Sequence, residues 1–523
     1  MGTHRAGRVT AGQGQHAGKG PSYLTLLPPR SFRRARIRAG IWWAEMADGR
    51  WAPQHRTLTA GLVLTVTFVA AEALAVITVM PVVARDLGGL RLYGWVFSAF
   101  MLGSIIGIVA AGREADRRGP AVPFVGGVLL FAAGLAVAGL APAMPVLVAG
   151  RALQGVGAGA VPAVAYVSIG RSLAGPLRAR MMALLSTAWV VPGLAGPALS
   201  AEVAHVFGWR WVFLGLLPVV AVTGSIALPA LIRLGPPGAR QAAEHRLVDG
   251  VRVAAGAALV LAGLTLAAGA GHAAAVAAGG GLLLAGAVAG LPALRRLVPP
   301  GTLTARRGLP ATIASRGLLT FAFLGADAYV TLTITVLRHR SPVYAGLAVT
   351  GATLTWTVGA WVQARLATSW PGRRLVRTGL VIILAGIGGM LLVLQPGVPV
   401  AVALAAWTVA GLGMGLCYAP LTLLMLREAP PGREGWASAS LNLADVLGTA
   451  LGIGAGGAAV AASTGPGGPA GLRWGVAAAF AISAVVAVLA LVLSPRLPAG
   501  LTTPPEPAPP GVSDELVSRP DGR

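Results

Sequence analysis

Two acidic side chains stand inside long apolar runs in matching frames: "FVAAEA" carries Glu72 and "FLGADA" carries Asp327. A charge in hydrocarbon is costly, so an acid kept there is a functional candidate by default. Low-dielectric surroundings penalise the charged form, which suits such a carboxyl to exchanging protons or to neutralising a cationic ligand. The structural alternative is an ion pair with an arginine of the apolar runs, Arg151 or Arg316. Gln154 follows Arg151 by about one helical turn. Glu202, near an outer helix end, and Asp445, within "LNLADVLG", are secondary acids. His205 and His272 fall near loops, where a solvated imidazole is the ordinary outcome. Cys417 is the only cysteine, so an intrachain disulfide and a cysteine-based zinc site are excluded. No G-x-x-x-x-G-K-[ST] loop occurs, which excludes nucleotide hydrolysis by that route. Neither a metal nor a cofactor is expected, and no enzymatic role.

The elements that position these groups are long and apolar. Of 523 residues, 55% are hydrophobic and 11% charged, against roughly 25% charged in soluble domains. Mean hydropathy is +0.74. The runs are continuously apolar rather than alternating, so they predict membrane helices and not a barrel. They fall near 58–82, 93–112, 121–141, 144–170, 181–204 and 210–232. Two leaner runs follow near 251–270 and 273–293, with a folded-back cytoplasmic hairpin as the alternative for this pair. Six more lie near 310–337, 343–366, 376–394, 399–425, 436–463 and 472–493. The expected fold is therefore an all-α polytopic membrane protein of 14 spans, two six-helix bundles plus two extra central helices.

The domain reading follows. Residues 1–54 form a basic extension without a signal-peptide apolar core, expected to be disordered; a start at Met46 would shorten it. Residues 55–232 form one bundle, 233–307 a linker with the two added helices, and 308–495 the second bundle. Residues 496–523 form a Pro-rich tail, expected to be disordered.

The formal charge of +24 is nearly all arginine, with Lys19 the single lysine. Nucleic acid is not an expected partner, because the arginines are dispersed between apolar runs rather than gathered in a stripe. Arg113, Arg117 and Arg118 follow the second run, and Arg171, Arg178 and Arg180 the fourth. Arg233, Arg240 and Arg246 follow the sixth, and Arg295, Arg296, Arg306 and Arg307 the eighth. Arg365, Arg373, Arg374 and Arg377 follow the tenth, and Arg427 and Arg433 the twelfth. Even-numbered exits are basic, which predicts a multi-pass cell-membrane protein with both termini cytoplasmic. Arg338 and Arg340 are the exception.

Weak similarity joins the two sets of six runs. Beyond the acid frames, "YG" at 93–94 resembles "YAG" at 344–346, and "GVGAGA" at 155–160 resembles "GLGMGL" at 411–416. Six-span repeats are what secondary transporters show, with the ligand site near the midplane between them. The expected architecture therefore relates the two bundles by a pseudo-two-fold axis.

Three motifs carry a family resemblance. "GREADRRGP" after the second run resembles the G-x-x-x-D-R-x-G-[RK] loop of the major facilitator superfamily: Gly112, Asp116, Arg117 and Gly119 match, and Pro120 departs from it. The small residue Gly112 is expected to end the helix there. The resemblance implies a cytoplasmic gate latch formed by Asp116 and Arg117. "GRALQG" resembles the fourth-helix R-x-x-Q-G motif, which implies proton coupling at Arg151 and Gln154. Gly196-Pro197 resembles the centre of the helix-five antiporter motif; Pro192 replaces its first glycine and Ser200-Ala201 its last two. "GWRWVF" at 208–213 is similar to the opening of helix six in drug:proton antiporters, although aromatic residues at a membrane interface explain it as well. Fourteen spans point to the drug:proton antiporter branch with fourteen transmembrane helices. Counting back from Pro81, Glu72 takes the acid position of that branch's first helix, while Leu74 and Ile77 replace its Thr and Asn.

The expected function is proton-coupled efflux of amphipathic, cationic drugs or secondary metabolites by alternating access, and hence antibiotic resistance. Glu72, Asp327, Arg151 and Gln154 are the expected coupling and substrate residues, with Asp327 taking substrate or proton and Glu72 as coupled partner. Expected partners are a small-molecule substrate, protons and the lipid bilayer, with the chain monomeric. A facilitator-fold importer or exporter of another metabolite is the alternative, and a non-transporting membrane sensor is a third reading.

Overall fold

Segments of this apolarity must satisfy their backbone groups internally, and the helix is how they do it. The computed structural model describes residues 53–172, 190–235, 244–269, 273–367, 369–430, 433–463, 468–498 and 500. The expectations for Lys19, Met46, the leading extension, Arg178, Arg180, Arg240, His272 and the tail beyond 500 lie outside the described residues. The chain divides into Met1–Arg56 and Thr57–Arg523. Of the first unit only residues 53–56 are described, as the opening turn of a helix. All that follows concerns the second.

Fourteen long helices are described. They are α1 (Pro53–Asp86), α2 (Tyr93–Arg118), α3 (Ala121–Gly139), α4 (Met144–Ser172), α5 (Val190–Val206) and α6 (Arg210–Leu234, interrupted at Gly215). Next come α7 (Glu244–Ala268), α8 (Ala273–Leu297) and α9 (Leu309–Leu332, prolonged by a π turn over Thr333–Leu337). The last are α10 (Pro342–Leu366), α11 (Gly372–Val393), α12 (Ala401–Glu428), α13 (Glu434–Ala462) and α14 (Gly468–Leu493). Thirteen are long and apolar enough to cross a membrane. The exception, α5, has 17 described residues. The lean pair α7 and α8 are both of spanning length, and they pack on each other.

The α2 helix corrects an expectation. Gly112 does not end it: the helix runs on to Arg118, and Gly119, at φ +85°, terminates it. Leaving lipid ends the apolar run but not the helix. Glu114 continues it by pairing with Arg117 and Arg118 at 3.8 and 3.4 Å, one turn on.

Glycines set the close contacts and reveal a register. Gly155 and Gly159 of α4 lie against the carbonyls of Phe100 and Ser104 on α2; Gly411 and Gly415 of α12 lie against those of Ala352 and Trp356 on α10. Gly157 meets the Gly127 carbonyl of α3, and Gly413 the Gly379 carbonyl of α11. Small residues let helix backbones touch in this way. The pairs equate α2–α4 with α10–α12 residue by residue: Phe100 with Ala352, Ser104 with Trp356, and Arg151 with Trp407. The pairings α3–α6 and α11–α14 recur in the same sense, as do α2–α13 and α10–α5.

Helices α1–α6 meet α9–α14 through a seam of backbone-directed hydrogen bonds. Tyr93 donates its hydroxyl to the Ala328 carbonyl (2.9 Å), Ser98 to that of Ala450 (2.8 Å) and Thr331 to that of Ile77 (3.0 Å). Gly94 packs on Gly457. Among the described residues, these bonds all cluster toward the end of the bundle where α1 finishes and α2 begins. Helix α7 lies along the seam, burying Val253, Ala254, Ala257 and Leu261 against Leu102 and Ile105 of α2 and Leu447 and Ala450 of α13.

Candidate functional site

Glu72, on α1, meets Arg151 and Gln154, on α4, inside the bundle. Arg151 Nη1 donates to Glu72 Oε1 and to Gln154 Oε1 (3.0 Å), and Gln154 Nε2 donates to Glu72 Oε1 (3.2 Å). Arg151 Nε reaches the Val96 carbonyl at 3.3 Å, and its guanidinium lies over the Phe100 ring at 4.1 Å. Glu72 is 0% and Arg151 2% exposed. A charge this deeply buried persists only when paired and hydrogen-bonded. Here it is both. Glu72 Oε2 has no hydrogen-bond partner among the described residues.

Asp327 occupies the same place on α9 but in different company. Trp407 stands on α12 at the position equivalent to Arg151, and its indole N–H donates to Asp327 Oδ1 at 2.6 Å. Ala410 replaces Gln154, and Ala352 replaces Phe100. The carboxyl is 6% exposed, and among the described residues no ion pair reaches it. One set of helices thus neutralises its acid internally, while the other keeps the acid and lacks the cation.

Arg316 does not pair with Asp327. Its Nε reaches Asp445 Oδ1 at 3.0 Å, its Nη1 donates to the Tyr418 carbonyl at 2.7 Å, and its guanidinium covers the Tyr418 ring at 3.1 Å. Tyr418 completes the group by donating its hydroxyl to Asp445 Oδ2 at 2.8 Å. Between this group and Asp327 runs a chain of rings. Trp407 stacks on Phe323 (centroids 5.1 Å, 12°), Phe323 meets the edge of Trp356 (5.8 Å), and Trp356 meets Tyr418 (5.4 Å).

Of the remaining expected site residues, Gly196 borders the Glu72 turn of α1 and the others stand apart from this centre. Asp116 is half-buried on the last turn of α2, and no described residue bonds to it; Arg117 is exposed and paired with Glu114. Pro197 lies inside α5 and its carbonyl approaches Gly346 of α10; Gly196 lies near Ala71 and Leu74 of α1. Glu202 and His205 are exposed near the end of α5. Trp209 is not an exposed interfacial ring: it is buried and donates to Asp86 Oδ2 at 2.7 Å, while Arg210 covers it and reaches the Ala141 carbonyl at 3.3 Å. "GWRWVF" is in this way a clasp between α1, α6 and the turn after α3. Arg338, the exception to the charge rule, donates to the carbonyls of Gln395 and Val398 in the turn between α11 and α12.

Trp356, Trp407 and Tyr418 carry no local sequence signal of a role, because single aromatics in apolar runs look like packing. A signal existed nonetheless. Extending the "GVGAGA"/"GLGMGL" match back to Arg151 puts it opposite Trp407.

The chain matches the Major Facilitator Superfamily over residues 61–453. A probable multidrug-efflux transporter of Mycobacterium tuberculosis is 27% identical over 479 residues, covering 86% of this chain and 95% of that protein. The multidrug transporter MdtP of Bacillus subtilis is 33% identical over 162 residues, 31% of this chain and 30% of that one. A bacterial homologue of the lysosomal transporter Spinster superposes with TM-score 0.60 at 13% identity, covering 86% of this chain and 98% of that one. The xylose transporter XylE of E. coli gives TM-score 0.54 at 14% identity, with 84% and 97% covered, and both likenesses speak to fold. With fourteen long helices paired as described and the superfamily match covering most of its length, the chain is a multi-pass membrane protein and belongs to the major facilitator superfamily.

Proposed function

We propose that this transporter exports amphipathic cations in exchange for protons, with Asp327 as the exchange site. The observation that carries this reading is the asymmetry between the two acids. Glu72 is neutralised by Arg151, whereas Asp327, in the equivalent place, meets no cation among the described residues and accepts the Trp407 indole N–H. An isolated carboxyl deep in a bundle is retained at a cost in stability. Taking a proton, or a cation from solution, in alternation removes that cost in each state, and that is antiport. Glu72, Arg151 and Gln154 then act as a fixed ionic group that holds α1 on α4, and the coupling expected at Arg151 and Gln154 is confined to positioning. The multidrug-efflux relative supports the direction and the breadth of substrate.

We read residues 55–232 and 308–495 as two halves related by a pseudo-two-fold axis, a relation that the recurring glycine contacts support. The seam then closes the outer side and leaves the site open to the cytoplasm. Basic residues in the last turns of α2, α6, α8, α10 and α12 support cytoplasmic termini in the cell membrane. Gly112, Asp116, Arg117 and Gly119 act in this reading as the gate latch on that side, and Gly196 and Pro197 shape α5 where it meets α10.

The test is proton release from the purified chain on adding ethidium, compared among wild type, Glu72→Gln and Asp327→Asn. Release should persist per folded molecule in Glu72→Gln and vanish in Asp327→Asn. Wild-type release from Asp327→Asn sinks the assignment.

A further inference from the structure

The aromatic chain between Asp327 and Asp445 is not consumed by the exchange reading, and it has direction. Arg316, Thr320, Phe323 and Asp327 follow one another on α9 at spacings of four, three and four, so they share one helix face. That stripe is about 16 Å long at 1.5 Å per residue. The Asp327 carboxyl stands at one end and the Arg316–Asp445–Tyr418 group at the other.

Phe323 and Trp407 are fully buried, but Trp356 and Tyr418 are half-exposed and Asp445 is 19% exposed. A partly exposed ion pair among membrane helices belongs against water, not lipid. Tyr418 hydrogen-bonds Asp445 and Trp356 abuts Tyr418, so both rings adjoin this partly exposed pair. The other half has nothing comparable: the register puts Ser104 opposite Trp356 and Pro162 opposite Tyr418. The aromatic surface is one-sided, and it leads to Asp327, a buried acid that no cation reaches among the described residues.

We propose that Trp356 and Tyr418 form the wall on which the flat aromatic body of a cationic substrate lies, with its charge at Asp327. The transported class is then the planar, delocalised aromatic cation, in preference to bulky cations with no flat face. Ring faces attract both π systems and delocalised charge, so planarity and charge are read together. This inference rests on the exchange reading for the role of Asp327, and the experiment separates the two.

Binding of ethidium, a planar cation, and of tetraphenylphosphonium, a bulky one, is measured on the full chain in detergent for wild type, Trp356→Leu, Trp356→Phe and Asp327→Asn. Trp356 is partly exposed, and the Phe variant, which supplies a ring in its place, controls for lost packing against the core. Trp356→Leu should weaken ethidium about tenfold, the worth of one ring-face contact, and change tetraphenylphosphonium by less than about threefold. Trp356→Phe should restore most of the ethidium affinity. Unchanged ethidium binding in Trp356→Leu overturns the wall, and so does an equal loss of both probes that Phe does not rescue. If Asp327→Asn loses both probes while Trp356→Leu loses neither, the wall alone fails. If Asp327→Asn binds both like wild type, the exchange reading fails with it.

Discussion

Neutralising the two acids should have opposite signatures, in stability for one and in function for the other. Glu72 and Arg151 are 0% and 2% exposed, so solvent does not screen their interaction. Removing one partner of such a pair leaves a buried charge without compensation and costs about 3–5 kcal/mol. Arg151→Ala loses in addition the Val96 carbonyl bond and the Phe100 face, each worth about 1 kcal/mol. Asp327→Asn breaks no ion pair, and an asparagine oxygen can still accept the Trp407 N–H. It exchanges a charge-assisted bond for a neutral one, about 1 kcal/mol, while removing an unpaired charge from the interior. Its net change should be near zero. In detergent-micelle unfolding, Glu72→Gln and Arg151→Ala should fall by about 3 kcal/mol or more. For a chain this long that is roughly 3–6 °C in apparent melting temperature. The Glu72→Ala/Arg151→Ala double variant should cost less than the sum of its singles by at least about 2 kcal/mol. Additive singles, or an Asp327→Asn variant less stable than Glu72→Gln, would refute the asymmetry from which Asp327 was assigned.

Trp407→Arg should recreate the other half's ion pair at Asp327, so ethidium-driven proton release should disappear while melting stays within a few degrees of wild type; retained release contradicts the equivalence of Arg151 and Trp407. Tyr93→Phe removes the bond to the Ala328 carbonyl, worth about 0.5–1.5 kcal/mol, and should raise the seam-open population by roughly 2- to 12-fold. Maleimide labelling of a cysteine at Ile77, in a Cys417→Ser background, should speed up accordingly. Gly155→Ala drives a methyl group into the Phe100 carbonyl and should cut the folded yield sharply, whereas Gly126→Ala meets open space and should be neutral or slightly stabilising. Equal yields from the two would show that α2 and α4 are not in backbone contact.

Apolarity and length made the helices legible, because in lipid nothing else satisfies the backbone. The two acids were legible for the same reason: charge in an apolar run stands out against its neighbours. Their partners were harder to read, because an interaction across helices has no local signature. Arg151 was a candidate for either acid and chose Glu72; Arg316 was a candidate for Asp327 and chose Asp445. The end of α2 lies beyond the point where hydropathy falls at Gly112, since Glu114, Arg117 and Arg118 sustain a helix that has already left the apolar run. Tryptophan was under-read most of all. An indole serves equally as packing and as donor, and only the partner it meets, Asp86 for Trp209 or Asp327 for Trp407, decides which.

In the exchange reading, the replacement of Arg151 by Trp407 accounts for one acid being held and the other being free to exchange. Trp407 and Ala352 stand where Arg151 and Phe100 stand in the first half, so a neutral ring replaces the cation at that place. In the first half the cation is covalently part of the protein and cannot leave, and its acid ties α1 to α4. In the second half the indole holds Asp327 by one hydrogen bond, worth far less than the buried ion pair it replaces. A ligand cation or a proton can outcompete an N–H for a carboxylate, but neither can outcompete a tethered guanidinium that two hydrogen bonds and a ring face keep in place. The Ala328 carbonyl, next to Asp327 in the chain, accepts the Tyr93 hydroxyl that closes the seam. In the exchange reading, a change in occupancy at Asp327 would act one residue away from a bond that joins the two sets of helices.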